Sequence, residues 1–316
     1  MACKSCNWIR WGKHRNGTPR WRCKACGISK TREKHRRVSL GILEQFLLEG
    51  KTCLQLADDL RISVSTLRRR LHRLLDQPPP KTTFVTDPDK AYWLITDATH
   101  FKRWGALIVT KATTVSLPLA VSFHDKENYA TVKEHLQPLS KLSVSGYTSD
   151  GKKGIVLAYA DVFPNAPQQR CLVHICLKVQ TLLTNKPKLL PGKKLLKLVL
   201  ILPKIRSTAA AVKWWQLFCY LFDTYSGYIN RRTYRGRSWW YTHYNLHRAY
   251  KHVQLAGDHL FVFLAHELAT YHTNNLEGLF GQKKPALSRH RGMSRKRVAN
   301  AILWIFYLLH CQLIVS

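Results

Sequence analysis

Apolar residues recur along the chain with two different periods, and the change of period divides it. Leu40, Leu43, Phe46 and Leu47 fall at helical spacing, and Gly50 suits a stop. Residues 52–60 follow as a short amphipathic helix, and Ile62 and Ser63 make a turn. Ser65 is placed to cap a third helix over residues 66–75. In that helix Leu67, Leu71, Leu74 and Leu75 face inward, while Arg68, Arg69, Arg70, His72 and Arg73 face out. Pro78-Pro79-Pro80-Lys81 breaks the helical block and reads as a linker. Beyond it come three strand-like runs, at residues 92–98, 106–111 and 115–123. Residues 128–142 read as a helix, 143–149 as a fourth strand and 154–160 as a short helix. A fifth strand begins at residues 168–171, with a helical stretch behind it to residue 183. The next hundred residues are too many for a loop. They read as helices over 189–205, 209–222 and 238–253.

Three strands, helix, strand, helix, strand is the element order of an RNase H-like fold, in which the first and fourth strands lie side by side. The expected class is therefore α/β with a mixed sheet. A catalytic domain of this kind would occupy residues 90–316, with an all-helical insertion at about 185–265. Residues 1–34 would form a small zinc ribbon and 38–77 a helix-turn-helix, with 78–89 as linker.

Charge narrows the partners. Against 51 Lys and Arg stand only 18 Asp and Glu, a net +33 over 316 residues. Such an excess attracts polyanions and favours nucleic acid. The chain opens straight into a cysteine motif with no signal sequence in front of it. The apolar run 299–316 includes His310 and Gln312, and reads as a buried helix rather than a membrane span. A cytoplasmic, nucleoid-associated protein is expected.

Cys3-x-x-Cys6 and Cys23-x-x-Cys26 are two knuckles separated by 16 residues. That spacing lets four thiolates converge on one tetrahedral zinc, a structural site with no open position. The alternative is four unrelated reduced cysteines. A second zinc site from Cys171, His174 and Cys176 lacks a fourth ligand, and Cys53, Cys219 and Cys311 read as buried thiols. The arginine-bearing helix after a tight turn has the arrangement of a DNA recognition helix, its rival being a solvated helix in an ordinary bundle.

With so few acids, each carboxylate in an apolar setting is informative. Asp97 ends the run Tyr92-Trp93-Leu94-Ile95-Thr96, Asp150 follows Tyr147-Thr148-Ser149, and Glu277 sits in Thr273-Asn274-Asn275-Leu276-Glu277. Each alone could be a turn or helix residue. Together, with Asp97 and Asp150 on adjacent strands, they could hold magnesium, or manganese, against a phosphodiester. Two such ions about 4 Å apart activate a water or 3′-hydroxyl and stabilise the leaving oxygen.

At this point the sequence resembles the Mutator-like superfamily of DDE transposases, which includes many bacterial insertion sequences. The motifs are Ile95-Thr96-Asp97-Ala98-Thr99, Ser149-Asp150-Gly151, Gln169-Arg170-Cys171-Leu172-Val173-His174, Thr273-Asn274-Asn275-Leu276-Glu277 and Leu287-Ser288-Arg289-His290-Arg291-Gly292. The resemblance spans about residues 90–305. The resemblance implies Asp97, Asp150 and Glu277 as the metal-binding triad, with His174 near the scissile phosphate or supporting the triad; a satisfied core histidine is the alternative. It implies a helical insertion in which Arg231, Arg232, Arg235 and Arg237 line DNA. Trp239 and Trp240 would stack on a flipped or frayed base there, although most of the insertion's aromatics belong to its core. His290 and Arg291 would contact donor or target phosphates. The implied activity is binding of element ends, metal-dependent strand cleavage and strand transfer, on double-stranded DNA and as a homodimer or larger. The rivals are a DNA-binding regulator without catalysis, and a nuclease of the same fold that does not join strands.

Overall fold

The computed structural model describes residues 7–15, 17, 19–31, 40–80, 87, 90–101, 104–274, 276, 278 and 293–315. Cys3, Cys6, Glu277, His290 and Arg291 lie outside the described residues. The chain divides into two compact units, Met1–Leu74 and Leu75–Ser316.

The first unit begins with a three-stranded antiparallel ribbon, β1 (Trp8–Lys13), β2 (Pro19–Cys23) and β3 (Ser29–Thr31), in the order β1-β2-β3. The Lys30 ammonium lies 3.6 Å from the centre of the Trp8 ring, and the Arg22 guanidinium 4.7 Å from that of Trp11. Three helices follow: α1 (Leu40–Leu47), α2 (Cys53–Asp59) and α3 (Val64–Leu75). Thr52 and Gln55 form a reciprocal capping box on α2, which satisfies amide groups that the helix itself leaves unpaired. The turn into α3 closes through Ile62 N–H to the Ala57 carbonyl, with Arg61 at φ 51. The sequence pattern puts the cap of α3 at Ser65. In the structure the helix starts two residues earlier, and it is the Ser63 hydroxyl that accepts from Thr66 N–H at 3.2 Å. Both serines can cap, and the earlier one leaves Val64 inside the first turn. Leu67, Leu71 and Leu75 are buried while Arg68, Arg69 and Arg73 are exposed; Leu74 and Arg70 are half-buried.

The second unit is built on a five-stranded sheet in the order β6-β5-β4-β7-β8. Its strands are β4 (Tyr92–His100), β5 (Ala106–Ala112), β6 (Pro118–His124), β7 (Val144–Ser149) and β8 (Gln168–Arg170). β4, β5 and β6 pair antiparallel, whereas β7 pairs parallel with β4, and β8 with β7. The crossovers are α4 (Tyr129–Leu136) and α5 (Lys153–Val162). Strand alternation sorts β4 between two faces. Tyr92 and Leu94 join Ile108, Val132, Leu136, Ile155 and Ala158 in the core beneath α4 and α5. Thr96 lies buried at Tyr159 of the same core, bonded to the Tyr159 hydroxyl at 2.5 Å and to Thr110 at 2.7 Å. Thr110 in turn meets His135, whose pKa burial lowers to about 3, so this imidazole is neutral.

Trp93 and Asp97 point to the opposite face by the same alternation. There the Trp93 indole packs on the backbone of Gly146 and on the His266 ring, and its N–H donates to Thr148 at 2.8 Å.

Behind β8 a helical body forms from α6 (Leu172–Leu183), α7 (Leu190–Val199), α8 (Thr208–Thr224), α9 (Ser226–Ile229) and α10 (Tyr244–Ala256). Its core includes Val179, Leu195, Val199, Trp214, Phe218, Tyr250 and Val253. Trp214 is thus core, as its helical spacing implies. Residues 238–253 are not one helix. Ser238–Tyr241 forms a strand, β10, paired antiparallel with β9 (Arg232–Arg235), and α10 begins only at Tyr244. Trp-Trp-Tyr favours the strand, and Gly236 at φ +58 supplies the tight turn.

After α10 the chain returns to the sheet. The Gln169 side chain donates to the Leu260 carbonyl at 2.9 Å and accepts from Phe263 N–H at 2.9 Å. Thr148 donates to the Thr270 carbonyl, and Leu172 N–H to that of Tyr271. The last helix spans Arg295–Val315. It is tied to residues 75–77 by Arg297 to Asp76, Asn300 to the Leu75 carbonyl and Trp304 to the Gln77 carbonyl. Among the described residues no helix is long and apolar enough to cross a membrane.

A candidate active site at the ends of two parallel strands

The β4–β7 register pairs Leu94 with Tyr147 and Ile95 with Thr148. Continued two residues along, it brings Asp97 level with Asp150, the first residue past β7. Asp97 is 5% exposed. One of its oxygens accepts from Ala98 N–H at 2.8 Å. Burial raises its pKa to about 6; the nearby charge of His174 works against that rise, and Asp150 adds to it. A buried carboxylate with a shifted pKa beside a second carboxylate is a candidate functional group.

Asp150 sits in a turn that it closes itself, accepting from Lys152 N–H at 3.0 Å. Its other oxygen lies 3.1 Å from the Lys152 ammonium. Gly151, at φ +73, leaves room for the Arg170 side chain, which occupies the space a Cβ would need. Beyond Arg170 the burial of His252, and then the charges of Arg170, Lys178 and Arg248, lower the pKa of that imidazole to about 4. The wall behind Asp150 is therefore strongly basic.

His174, on the first turn of α6, faces the same pole. A hydrogen bond donated by the ring to Cys171 raises its pKa to about 9, burial opposes the rise, and the charges of Cys171, Asp97 and Asp150 assist it. Burial pushes the Cys171 thiol up, but bonding and charge from His174 outweigh this and hold it below the usual thiol range. The two shifts have one origin, the contact between Cys171 and His174, which favours the charged form of each. Thr273 joins them, its hydroxyl 3.4 Å from His174 Nδ1 and 3.6 Å from Cys171 Sγ.

Two members of the cluster are not singled out by the sequence pattern, Glu127 and Lys152. The Glu127 side chain is only 4% exposed, and its Oε2 meets Lys152 at 2.7 Å and His100 at 3.1 Å. Glu127 stands in an ordinary polar stretch between a strand and a helix, so only the fold exposes its position; Lys152 two residues after Asp150 was one cation among 51 Lys and Arg.

Among the described residues no group of three or more His, Cys, Asp and Glu side chains is gathered as a metal cage. Asp97 and Asp150 nevertheless suit magnesium, which is commonly held by one or two carboxylates together with waters and substrate phosphates. In the ribbon, Cys23 is buried at the end of β2 and Cys26 follows in the turn. Of the other cysteines read as buried, Cys219 is exposed, on the outer side of α8, and Cys53 and Cys311 are half-buried.

The arginines and tryptophans of the insertion lie on the β9–β10 hairpin. Arg231, Arg232, Arg235 and Arg237 are exposed. Trp239 and Trp240 are 46% and 47% exposed, so neither is core. The Arg232 guanidinium lies 4.1 Å from the centre of the Trp239 ring.

No curated protein matches the chain. Residues 117–225, about a third of its length, match the family model described as Transposase, Mutator family. The matched segment runs from β6 to the end of α8 and contains Asp150, Cys171 and His174; Asp97 precedes it. Over those residues the chain is similar to a Mutator-family transposase.

Proposed function

We propose that the chain is a DDE transposase with an RNase H-like catalytic domain, which cuts the ends of its own element and joins them to target DNA. The observation that carries this reading is the level placement of Asp97 and Asp150 at the ends of neighbouring parallel strands, within a strongly basic surround. Glu277 is the third carboxylate of the proposal. In its support, the chain comes back to the site at Thr273, four residues earlier, where the hydroxyl reaches His174.

Divalent magnesium or manganese, when bound, would polarise the phosphodiester and lower the pKa of the attacking hydroxyl. Asp97 and Asp150 would hold it with hard oxygen donors. Arg170 and the cations around His252 would orient DNA phosphates beside Asp150. His174, protonated through Cys171, would neutralise charge near the carboxylates or donate to a phosphate oxygen. Water attacks first and frees a 3′-hydroxyl, and this hydroxyl then attacks target DNA. Both steps are in-line displacements at phosphorus, in which the protein contributes placement and charge.

The amino-terminal elements fit end recognition. We assign α3, with Arg68, Arg69, Arg70 and Arg73, as the recognition helix of a helix-turn-helix, and the ribbon as a zinc site made by Cys3, Cys6, Cys23 and Cys26. Elemental analysis tests the latter: about one zinc per chain is expected, lost in Cys23→Ser. Equal zinc in both proteins sinks the assignment. Two ends must be brought together, so the working form is a dimer or larger.

The test of the whole reading is a magnesium-dependent assay on labelled terminal DNA, with Asp150→Asn alongside. Cleavage and joining by the wild type alone support it. Cleavage without joining makes the protein a nuclease, and tight end binding without cleavage makes it a regulator; either overturns the reading.

A further inference from the structure

The site contains its own cation. The Lys152 ammonium lies 3.1 Å from Asp150 Oδ2 and 2.7 Å from Glu127 Oε2, bridging two carboxylates. The Glu127 side chain is nearly enclosed, at 4% exposure, and its second oxygen, Oε1, is buried with no hydrogen-bond partner. A buried anion is costly unless paired; Glu127 Oε2 has both Lys152 and, at 3.1 Å, His100 as partners, so it keeps one when Lys152 moves. The Lys152 side chain is still 48% exposed, so it has space to leave. Its backbone is fixed independently, by the N–H donated to Asp150 Oδ1.

We propose that Lys152 is a resident counter-cation of Asp150, occupying with its ammonium the side of the carboxylate that a divalent ion takes, and that metal binding displaces it. This rests on the metal-dependent reading above. Two cations cannot share Asp150 Oδ2 at contact distance without strong repulsion. The metal-free site is then neutralised and ordered before DNA arrives, and metal affinity is held down until phosphate oxygens add to the ligand set. The displaced Lys152 stays tethered beside the scissile region by its short turn, where a DNA phosphate is the nearest replacement anion.

Manganese binding by the full chain without DNA tests this, counting free Mn2+ by its paramagnetic resonance signal. Lys152→Met is expected to bind Mn2+ about tenfold more tightly than wild type, and Lys152→Arg, which keeps the cation, no more tightly than wild type. Unchanged or weaker binding in Lys152→Met overturns the proposal. A second readout needs no variant: the acetylation rate of Lys152, followed by mass spectrometry, rises when Mg2+ is added to wild type. A rate unchanged or lowered by Mg2+ also overturns it. Asp150→Asn separates the two readings. If it abolishes Mn2+ binding while Lys152→Met leaves the affinity unchanged, only the displacement idea falls. If Asp150→Asn retains full Mn2+ binding, the metal-site assignment falls, and this inference with it.

Discussion

The indole of Trp93 lies against Gly146 so closely that a methyl group on Gly146 would overlap the ring atoms Cζ3, Cη2 and Cε3. The two residues are register partners on β4 and β7, and Trp93 is fully buried. The indole is fixed further by its bond to Thr148. This contact sets how the two aspartate-bearing strands meet. Gly146→Ala therefore forces β7 away from β4, an overpacking that costs about 1–3 kcal/mol. Urea denaturation of Gly146→Ala, Trp93→Leu and the double variant checks this. The double variant should recover part of the Gly146→Ala loss, a coupling expected only of touching residues. Strict additivity would refute the contact's role.

Asp97→Asn should stabilise the metal-free protein at neutral pH. Burial raises the Asp97 pKa from 3.8 to about 6, so the native state holds this proton more tightly than the unfolded chain does. The sign follows: stability on this account is complete below about pH 4, falls as pH rises toward 6, and is level beyond. Two pKa units correspond to a gain of at most about 3 kcal/mol for the asparagine variant at pH 7.5. The gap between the proteins should close by pH 4. Added Mg2+ should then stabilise the wild type and not the variant. Urea midpoints at the two pH values, with and without Mg2+, measure all of this, and equal midpoints at pH 7.5 would contradict it.

On the β9–β10 hairpin, Arg232→Ala and Trp239→Ala should weaken DNA binding in different ways. Arg232 is an exposed cation, so its loss should reduce the slope of log affinity against log salt by about 1. Trp239 should cost about 1–3 kcal/mol on DNA with unpaired terminal bases, and much less on intact duplex. Both side chains are exposed, so fold stability should move by less than about 0.5 kcal/mol. Fluorescence anisotropy over a salt series separates the two effects; identical losses on frayed and intact DNA would rule out stacking.

Much of this arrangement was legible because β4 and β5 each contain a continuous apolar run. Tyr92 to Ile95 and Ala106 to Val109 are buried runs that alternation and length identify as strands. Asp97 and Asp150 stood out because acids are scarce, and the order of elements put their strands together. The hairpin was misread because Ser238 to Tyr241 runs directly toward α10, with only Gly236 to betray the turn. Glu127 was illegible for another reason. Its hydrogen-bond partners are Lys152, 25 residues away in the chain, and His100, 27 residues away. No local pattern encodes a pairing of that kind.

Cys171 should control the charge on His174. The imidazole has two opposing influences: burial alone would favour its neutral form, and the hydrogen bond and charge of Cys171 hold it protonated up to about pH 9. Because the folded pKa lies above the ordinary 6.5, the contribution of His174 to stability is full below about pH 6.5 and is lost as pH rises through 9. Replacing Cys171 with alanine removes the first cause and leaves burial facing only Asp97 and Asp150. The His174 titration, followed by proton resonance of its ring, should move down from about 9 toward the ordinary imidazole value. The alkaline limb of the cleavage pH profile should move down with it, if the protonated ring is the working form. Divalent metal at the two aspartates would push the same way, since it cancels the negative charge that helps to hold the proton. A His174 titration that ignores Cys171→Ala would mean that the carboxylates, not the thiol, keep the ring charged. In that case Asp97→Asn, rather than the cysteine change, should lower it.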